Sequence, residues 1–453
     1  MKRKVSILLI FALLCTLVAT GCSSSTPESK EDTTTTQTAQ ATQQPTAEEG
    51  EPVTISYLSR WANPSDPRSA YYLEKLDEFR SMYPYITVED ISIGDDSEAH
   101  RAKVNSGIAS GSPPDMFITN NSMNNREWVA NGVLSDITEL VNSSEWTGPV
   151  GDMLSRFDYD GKIYGCPNQL NVTLCVVNEQ VYRDLGLEVP QTWEDIEKTI
   201  EPLTNAGIVP FGLSAQQLNE VDRFVVLIGM MMYGLEFRDN LVSKEWDWAG
   251  PECQAVLEKA KFFIDNGFLD KDAVSMTAQS GTIPLFEQGQ IAMMLTPSWN
   301  ISFFQEMDFK DDIKIVNFPY FADHPENKDL WMVSQGEGFV ITAEKGSPEY
   351  DACCKLLSFL MSKDTFEGFV EKMQGGVVPV DVDYDTSKAD TVIRSYMEAF
   401  AQHGAITDNT LAYLDSKIPL MQPTQQELQT LFVGRSPQEV GASLKKIYDK
   451  EMN

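Results

Sequence analysis

The histidines and cysteines of this 453-residue chain carry little of the chemistry of a metal or redox enzyme. His100, His324 and His403 are far apart, and none of their spacings matches paired zinc ligands. The seven cysteines include no C-x-x-C pair, which excludes the usual redox and zinc-ribbon patterns. The five after Cys22 are interpreted as small buried hydrophobic residues. No G-x-x-x-x-G-K-[ST] loop for nucleotide phosphates occurs, so we expect no cofactor and no metal.

The charge balance excludes another class of partner. Asp and Glu total 67 against 35 Lys and Arg, which gives a formal net charge of −32. A nucleic-acid binder needs a basic surface for phosphate contacts, so we expect no nucleic-acid partner. The same charge disfavours attachment to anionic lipid headgroups. Catalysis by paired carboxylates, as in glycoside hydrolases, is not excluded by composition, but no motif pairs two acids.

The N-terminus has the pattern of an export signal. Lys2, Arg3 and Lys4 precede a nearly continuous apolar run from 5 to 19, which is too short to span a bilayer. The run ends in Ala-Thr-Gly-Cys22, which resembles a bacterial lipobox with Ala in place of the usual Leu. We therefore expect residues 1–21 to be a lipoprotein signal peptide and Cys22 to be lipidated. A soluble secreted protein cleaved nearby is the alternative.

Residues 22–50 are rich in Ser, Thr, Gln, Ala and Pro and are predicted to be a flexible tether. The remaining chain is long enough for two or three domains, each with its own core. The order of signal peptide, lipidated cysteine, tether and body predicts a globular protein that is anchored on the outside of a membrane. The expected location is the outer face of the cell membrane, as in Gram-positive-type lipoproteins.

The body alternates between strand and helix patterns. An alternating run at 53–58 predicts a strand, helical spacing covers 69–83, and strand character returns at 86–88. This β-α-β order indicates a parallel α/β sheet, whose ligand sites lie at the carboxyl ends of the strands. Further predicted elements are a strand at 116–118, an extended segment at 163–177, and helices at 127–141, 193–206, 251–266, 349–360 and 437–452.

Several short motifs follow one another in a particular order along the body. They are PDMF at 114–117, GVLSDI at 132–137, YDGKIYGCP at 159–167, TWEDI at 192–196, FEQGQIAM at 286–293 and GEGFVI at 336–341. Their order and spacing resemble the extracellular solute-binding proteins of family 1, the receptors of sugar-importing ABC transporters, which include maltodextrin-binding-type receptors. The resemblance runs from about Val53 to the C-terminus.

The resemblance implies an α/β, two-lobed periplasmic-binding-protein-like fold of type II. Hinge strands would join the lobes, and a ligand cleft would lie between them. Lobe 1 would comprise 51–166 and 335–378, and lobe 2 would comprise 167–334 and 379–453.

Carbohydrates present flat apolar faces and rims of hydroxyl groups, so aromatic rings beside amides and carboxylates are the side chains to look for. The resemblance places such residues in several loops and crossing segments. The candidate ligand-binding residues are Trp61, Asn63, Asn120, Asn121, Ser122, Asn171, Gln216, Asn219, Trp299, Trp331, Gln335 and Glu337.

The predicted function is that of a lipid-anchored receptor of an ABC importer. It would bind an oligosaccharide or related carbohydrate between the lobes and deliver it to the transmembrane permease subunits. It would be a monomer and not an enzyme. A receptor for a peptide or a polyamine is the main alternative, and an exported glycoside hydrolase is a more distant one.

Overall fold

The computed structural model describes residues 49–94, 97–120, 123–403, 406–407 and 420–451. Its strands are β1 (Val53–Leu58), β2 (Ile86–Asp90), β3 (Met116–Asn120), β4 (Asp158–Tyr159), β5 (Lys162–Ile163), β6 (Cys166–Pro167), β7 (Leu170–Asn178), β8 (Val209–Gly212), β9 (Ile291–Pro297), β10 (Ile313–Val316), β11 (Trp331–Gln335), β12 (Glu337–Ile341) and β13 (Ile406–Thr407).

The helices surround these strands. They are α1 (Pro67–Met82), α2 (Ser97–Ala109), α3 (Met123–Ala130), α4 (Thr138–Val141), α5 (Glu179–Asp184), α6 (Trp193–Asn205), α7 (Leu218–Tyr233), α8 (Glu236–Ser243), α9 (Pro251–Asp265), α10 (Ile283–Glu287), α11 (Ile301–Gln305), α12 (Pro348–Leu360), α13 (Lys363–Lys372), α14 (Thr391–Phe400), α15 (Met421–Gln429) and α16 (Pro437–Glu451).

The first sheet has the strand order β2-β1-β3-β12-β6. Strand β1 is parallel to β2 and β3, whereas β12 runs antiparallel to β3 and β6. Alternate residues of β1 face the core, where Ile55 and Tyr57 pack with Phe79 of α1 and Leu356 of α12. This sheet therefore has a core of its own.

The second sheet has the order β13-β11-β7-β9-β8 and is built on the nine-residue strand β7. The first part of β7 pairs with β11 and the last part with β10, both antiparallel, while β9 lies along its other edge. Both faces of β7 are buried. Cys175 and Val177 pack on the side of Trp193, and Leu174 and Val176 lie in a separate core.

The chain passes between the two sheets at three places. Strand β6 leads to β7 through Asn168 and Gln169, and β11 leads to β12 through Gly336. After α13, Tyr384 still packs against the first core, while Val392 lies in a core of the second sheet. Val377 also packs against a core of the second sheet, whereas Val378 packs against the first, so the lobe boundary at 378–379 stays a prediction.

Local signals in the sequence explain several element boundaries. Thr192 caps α6 in a capping box: its hydroxyl accepts from the Asp195 N–H, and the Asp195 carboxylate accepts from the Thr192 N–H. Asp160 and Gly161 have φ of 57° and 78°, as the tight hairpin between β4 and β5 requires. Each feature depends only on residues close together in the sequence.

The helix predicted over 127–141 is wrong in its length. The structure has α3 up to Ala130 and a separate short α4, with a turn between them. Gly132 in this turn has φ of 68°, which a helix cannot accommodate, and Asp136 accepts hydrogen bonds from Thr138.

The aspartate of the PDMF motif has a structural role. Asp115 Oδ2 accepts hydrogen bonds from the Ser56 N–H at 2.8 Å and the Ser56 hydroxyl at 2.7 Å, and the Ser56 hydroxyl accepts from the Asp115 N–H at 2.9 Å. Ser56 lies in β1 and Asp115 directly precedes β3. The carboxylate therefore fixes the start of β3 against β1.

We predict that Asp115→Ala destabilises the protein by about 1–3 kcal/mol, because it leaves the Ser56 N–H without its acceptor inside the fold. Thermal and denaturant unfolding would measure this loss. Asp383→Ala, at an exposed carboxylate, is the matched control and should be nearly neutral. Equal stability of the two variants would contradict the role given to Asp115.

Candidate functional site

The site is built where two crossing segments touch. The Gly336 N–H donates to the Gln169 carbonyl at 2.9 Å, and the Asn168 N–H donates to the Glu337 carbonyl at 3.0 Å. A Cβ on Gly336 would lie 2.8 Å from Gln169 Cγ and 2.9 Å from Asn171 Nδ2. Glycine at 336 therefore allows the two segments to lie against each other.

Amide side chains line the crossing. The Gln169 side-chain N–H donates to Asn171 Oδ1 at 3.4 Å, and the Arg68 guanidinium donates to Gln169 Oε1 at 2.5 Å. Gln169 and Asn171 are half-buried, and Arg68 is exposed. Because each amide has both donors and acceptors, this edge can pair with hydroxyl groups of either polarity.

On the side of the first sheet, the crossing carries an ion pair. Glu337 opens β12 and pairs with Arg60, which follows β1. Glu337 is buried, and its side chain is one of the predicted site residues. His100 of α2 lies nearby: burial, and then the positive charge of Arg60, lower its pKa from 6.5 to about 4. The imidazole is therefore neutral near pH 7.

On the side of the second sheet, Trp299 follows β9. It is 48% exposed, whereas the other tryptophans of the described residues are buried or half-buried. The preceding Ser298 hydroxyl accepts from the Val172 N–H at 3.1 Å, and Tyr396 hydrogen-bonds the same serine side chain. Trp299 is thus tied to the start of β7, next to Asn171.

A buried ion pair lies against Trp299. The Arg223 guanidinium sits over the indole at 4.9 Å from the ring centroid, and Arg223 donates to Glu220 at 2.7 Å. Arg223 and Glu220 are only 4% and 3% exposed. Burial raises the pKa of Glu220, while Arg223 opposes that shift. Asn219 also donates to the Glu220 carboxylate at 3.2 Å.

Four of the predicted residues are therefore linked to the crossing, either directly or through the contacts of a neighbouring residue. Asn171 contacts Gly336 directly, Glu337 follows Gly336, Trp299 is tied to β7 through Ser298, and Asn219 joins through Glu220 and Arg223.

The structure places Trp61 in the first core, where it is 6% exposed. Its ring stacks on Tyr72 at 3.8 Å between centroids and meets the edge of Phe339. One face of the Trp61 ring is thus occupied by Tyr72. Trp331 is likewise buried, with its ring against Phe400.

The other predicted residues lie in loops, in strands or outside the described residues. Asn63 is exposed and accepts from the Ser65 N–H, which shapes its loop, and Gln216 is exposed beside Met276. The backbones of Asn120 and Gln335 pair within the sheets. Asn121, Ser122 and Cys22 lie outside the described residues.

Sequence reasoning missed Arg223, Glu220 and Arg60. A signal for the first two existed, since they lie with Asp222 in the first half of the mostly apolar helix α7. Charges buried in such a helix need partners. Asn168 was another visible candidate. It is buried, and in the described part of the chain its Oδ1 accepts no hydrogen bond.

A separate cavity of about 120 Å³ opens on the second sheet's outer helices, between α8 and α16. Lys445 pairs with Asp247 and Asp449 at its wall. These charges compensate each other, so the cavity offers little to a ligand compared with the crossing.

Three further observations concern metal ions, membranes and thiols. Within the described ranges, no three His, Cys, Asp or Glu side chains gather to hold a metal ion, and no described helix is long and apolar enough to cross a membrane. The five cysteines of the body are free. Burial raises the pKa of each of these thiols, that of Cys354 to about 11.

Residues 75–395 match the sequence model of the bacterial extracellular solute-binding proteins. Because the match covers well over half of the chain, the chain belongs to this family, and the predicted resemblance is confirmed. Members of this family are solute receptors, so the prediction that the chain is a receptor and not an enzyme is confirmed as well.

Individual relatives and a solved structure are consistent with this family and its fold. An uncharacterized ABC transporter extracellular-binding protein of Pyrococcus horikoshii is 23% identical over 338 residues, 70% of this chain and 71% of that protein. The multiple sugar-binding protein of Streptococcus mutans is 24% identical over 216 residues, 48% of this chain and 44% of that protein. A solved chitin oligosaccharide binding protein aligns with a TM-score of 0.74 at 18% identity, covering 89% of this chain and 99% of that one. The fold is thus the two-lobed α/β fold predicted.

The pKa of His100 gives a pH prediction. Between pH 6.5 and about 4 the unfolded chain binds a proton at this histidine and the folded protein does not. The contribution of His100 to the free energy of unfolding is therefore at its full value above about pH 6.5, and it falls as the pH is lowered towards 4. His100→Gln should lose less thermal stability than the wild type between pH 7 and 4.5.

The control for this measurement is His324→Gln, at a half-buried loop position beside Glu326. Its unfolding temperature should follow the wild-type pH dependence, including the part that comes from carboxylates. If His100→Gln also followed the wild type, the lowered pKa would be wrong.

Proposed function

We propose that this protein is the carbohydrate receptor of an ABC importer and that it binds an oligosaccharide at the crossing between its two sheets. The observation that carries the proposal is the half-exposed Trp299, whose neighbour Ser298 is hydrogen-bonded to Val172, the residue after the half-buried Asn171. An aromatic surface with a few placed polar groups is the usual composition of a ligand site. It also matches the apolar faces and hydroxyl rims of sugar rings.

Each side chain has a separate part in this proposal. Trp299 would stack on a sugar ring, and Asn171 and Gln169 would exchange hydrogen bonds with its hydroxyls. Asn219 would contribute from the N-terminal end of α7, and Glu337 would accept from hydroxyls while Arg60 balances its charge. Trp61 and Trp331 are left out because their rings are buried.

Asn63, Asn120, Gln216 and Gln335 remain proposed contacts of lower priority, together with Asn121 and Ser122. Asn63 and Gln216 lie in loops, and Asn120 and Gln335 lie at the ends of β3 and β11. We propose that the lobes divide at the crossings and close by a hinge motion. A ligand that contacts both lobes would favour the closed form through its higher affinity for that form.

The ligands named for similar proteins support the choice of sugars. One relative is a multiple sugar-binding protein, and the structural neighbours include receptors for chitin oligosaccharide and for maltose. Another neighbour comes from a study of xylan utilization. We therefore propose glucan, xylan and chitin oligosaccharides as the first substrate classes to test.

Thermal unfolding of the purified protein against a ligand panel tests this function. The panel contains malto-, xylo- and chito-oligosaccharides, with short peptides and polyamines as controls. A ligand at about 100 times its Kd adds about 2.7 kcal/mol to the folded state and should raise Tm by a few degrees. A shift with peptides or polyamines alone would overturn the carbohydrate assignment.

We predict that Trp299→Ala weakens binding of the active oligosaccharide by about tenfold or more, because the indole provides its stacking surface. Calorimetric titration would give the Kd values. Phe262→Ala removes another exposed aromatic residue, on α9, and should leave affinity unchanged. An unchanged Kd for Trp299→Ala, in a folded protein, would remove this residue from the site.

We also propose that Cys22 is lipidated and that residues 22–50 tether the body to the outer face of the cell membrane, where it delivers ligand to the permease subunits as a monomer. The positive N-terminal cluster, the apolar run and the Cys22 motif support this.

Cys22→Ser should therefore release the protein from the membrane fraction and abolish incorporation of a labelled fatty acid. Cys166→Ser, at a buried cysteine of the body, is the control and should leave the protein in the membrane fraction. Membrane retention of Cys22→Ser without lipid label would contradict the anchor.

A further inference from the structure

Trp299, the exposed tryptophan of the site, packs against a charged side chain. One face of Trp299 is covered by the guanidinium of Arg223, at 4.9 Å from the ring centroid. Because Arg223 is almost wholly buried and Trp299 is half-exposed, the accessible part of the indole lies away from the cation. The arginine therefore lies beneath the surface that would meet a ligand.

Arg223 is itself held in place. Its guanidinium pairs with Glu220, one turn earlier in α7, and both side chains are shielded from water. A cation and ring in contact attract each other more strongly when they are desolvated. The planar guanidinium is also suited to lie flat on an aromatic face while it donates to a carboxylate.

The indole is also constrained from the backbone side. Ser298, the residue before Trp299, accepts a hydrogen bond from β7, and Asn300, the residue after it, donates to Thr296 at 3.0 Å. The residues on both sides of Trp299 are therefore held by hydrogen bonds of their side chains. On the ring itself, Arg223 is in contact with one face.

We propose that Arg223 is a positioning residue of the ligand site: together with Glu220 it holds the Trp299 ring in one orientation, with one face open for stacking. This deepens the proposed function and rests on it where affinity is concerned. Preorganising a ring lowers the entropy that ligand binding would otherwise cost. The geometry itself can be tested without any ligand.

The variant must avoid leaving a lone buried charge. Arg223→Met alone would strand the Glu220 carboxylate and could unfold the protein. The double variant Glu220→Gln/Arg223→Met removes both charges at similar volume and takes the cation away from the indole. Arg394→Met, at another partly buried arginine near the second sheet, is the matched control.

The ligand-free test uses protein labelled with 5-fluorotryptophan. The chain has eight tryptophans, and Trp299→Phe identifies the resonance of Trp299 in the fluorine NMR spectrum. We expect this resonance to shift and broaden in the double variant and to remain unchanged in Arg394→Met. An unchanged Trp299 resonance in the folded double variant would overturn the proposal.

The affinity test uses the oligosaccharide that shifts Tm most in the panel. The double variant should weaken its binding about threefold to thirtyfold, with no further loss when combined with Trp299→Ala. An equal loss in the Trp299→Ala background would show that the pair acts independently of Trp299 and would refute the positioning role. If no oligosaccharide binds, the proposed function fails while the NMR result still decides the orientation of the ring.

Discussion

The contact between Gln169 and Gly336 is the constraint on which the candidate site depends. Two backbone hydrogen bonds join the segments that pass between the sheets, and a side chain at 336 would collide with Gln169 and Asn171. The contact brings the start of β7 beside the start of β12. A separate hydrogen bond, from the Val172 N–H to the Ser298 hydroxyl, ties the loop of Trp299 to the start of β7. The connection between the two sheets would thus form one wall of the proposed site, to which the loop after β9 and helix α7 contribute Trp299 and Asn219.

The sequence allowed much of the fold to be predicted because its signals are local. The alternating run of β1, the helical spacing of α1 and the capping box at Thr192 each depend on a few neighbouring residues. The break after Ala130 was missed because the apolar pattern continues through Gly132, where the turn requires a positive φ. The lobe boundary at 378–379 stays a prediction, because Val377 packs against a core of the second sheet while Tyr384, later in the chain, packs against the first.

The site was less predictable, and two tryptophans show why. Trp61 and Trp299 both follow a strand, and the chain around each is polar. Tyr72 from α1 and Phe339 from β12 pack against the Trp61 ring, whereas the Arg223 guanidinium packs against one face of the Trp299 ring. These partners come from distant parts of the chain, so local sequence cannot distinguish a core ring from an exposed one. The charges inside α7 were the available sign that something polar lay nearby, and their partner could be named only from the structure.

The burial of the thiols has a practical consequence. The cysteines of the body lie inside the fold, and burial raises the pKa of each, so few thiolates are present at neutral pH. A maleimide dye would therefore react much faster with a new cysteine placed on an exposed helix than with these thiols. One dye on each lobe would report, through energy transfer, the lobe closure that we propose for ligand binding.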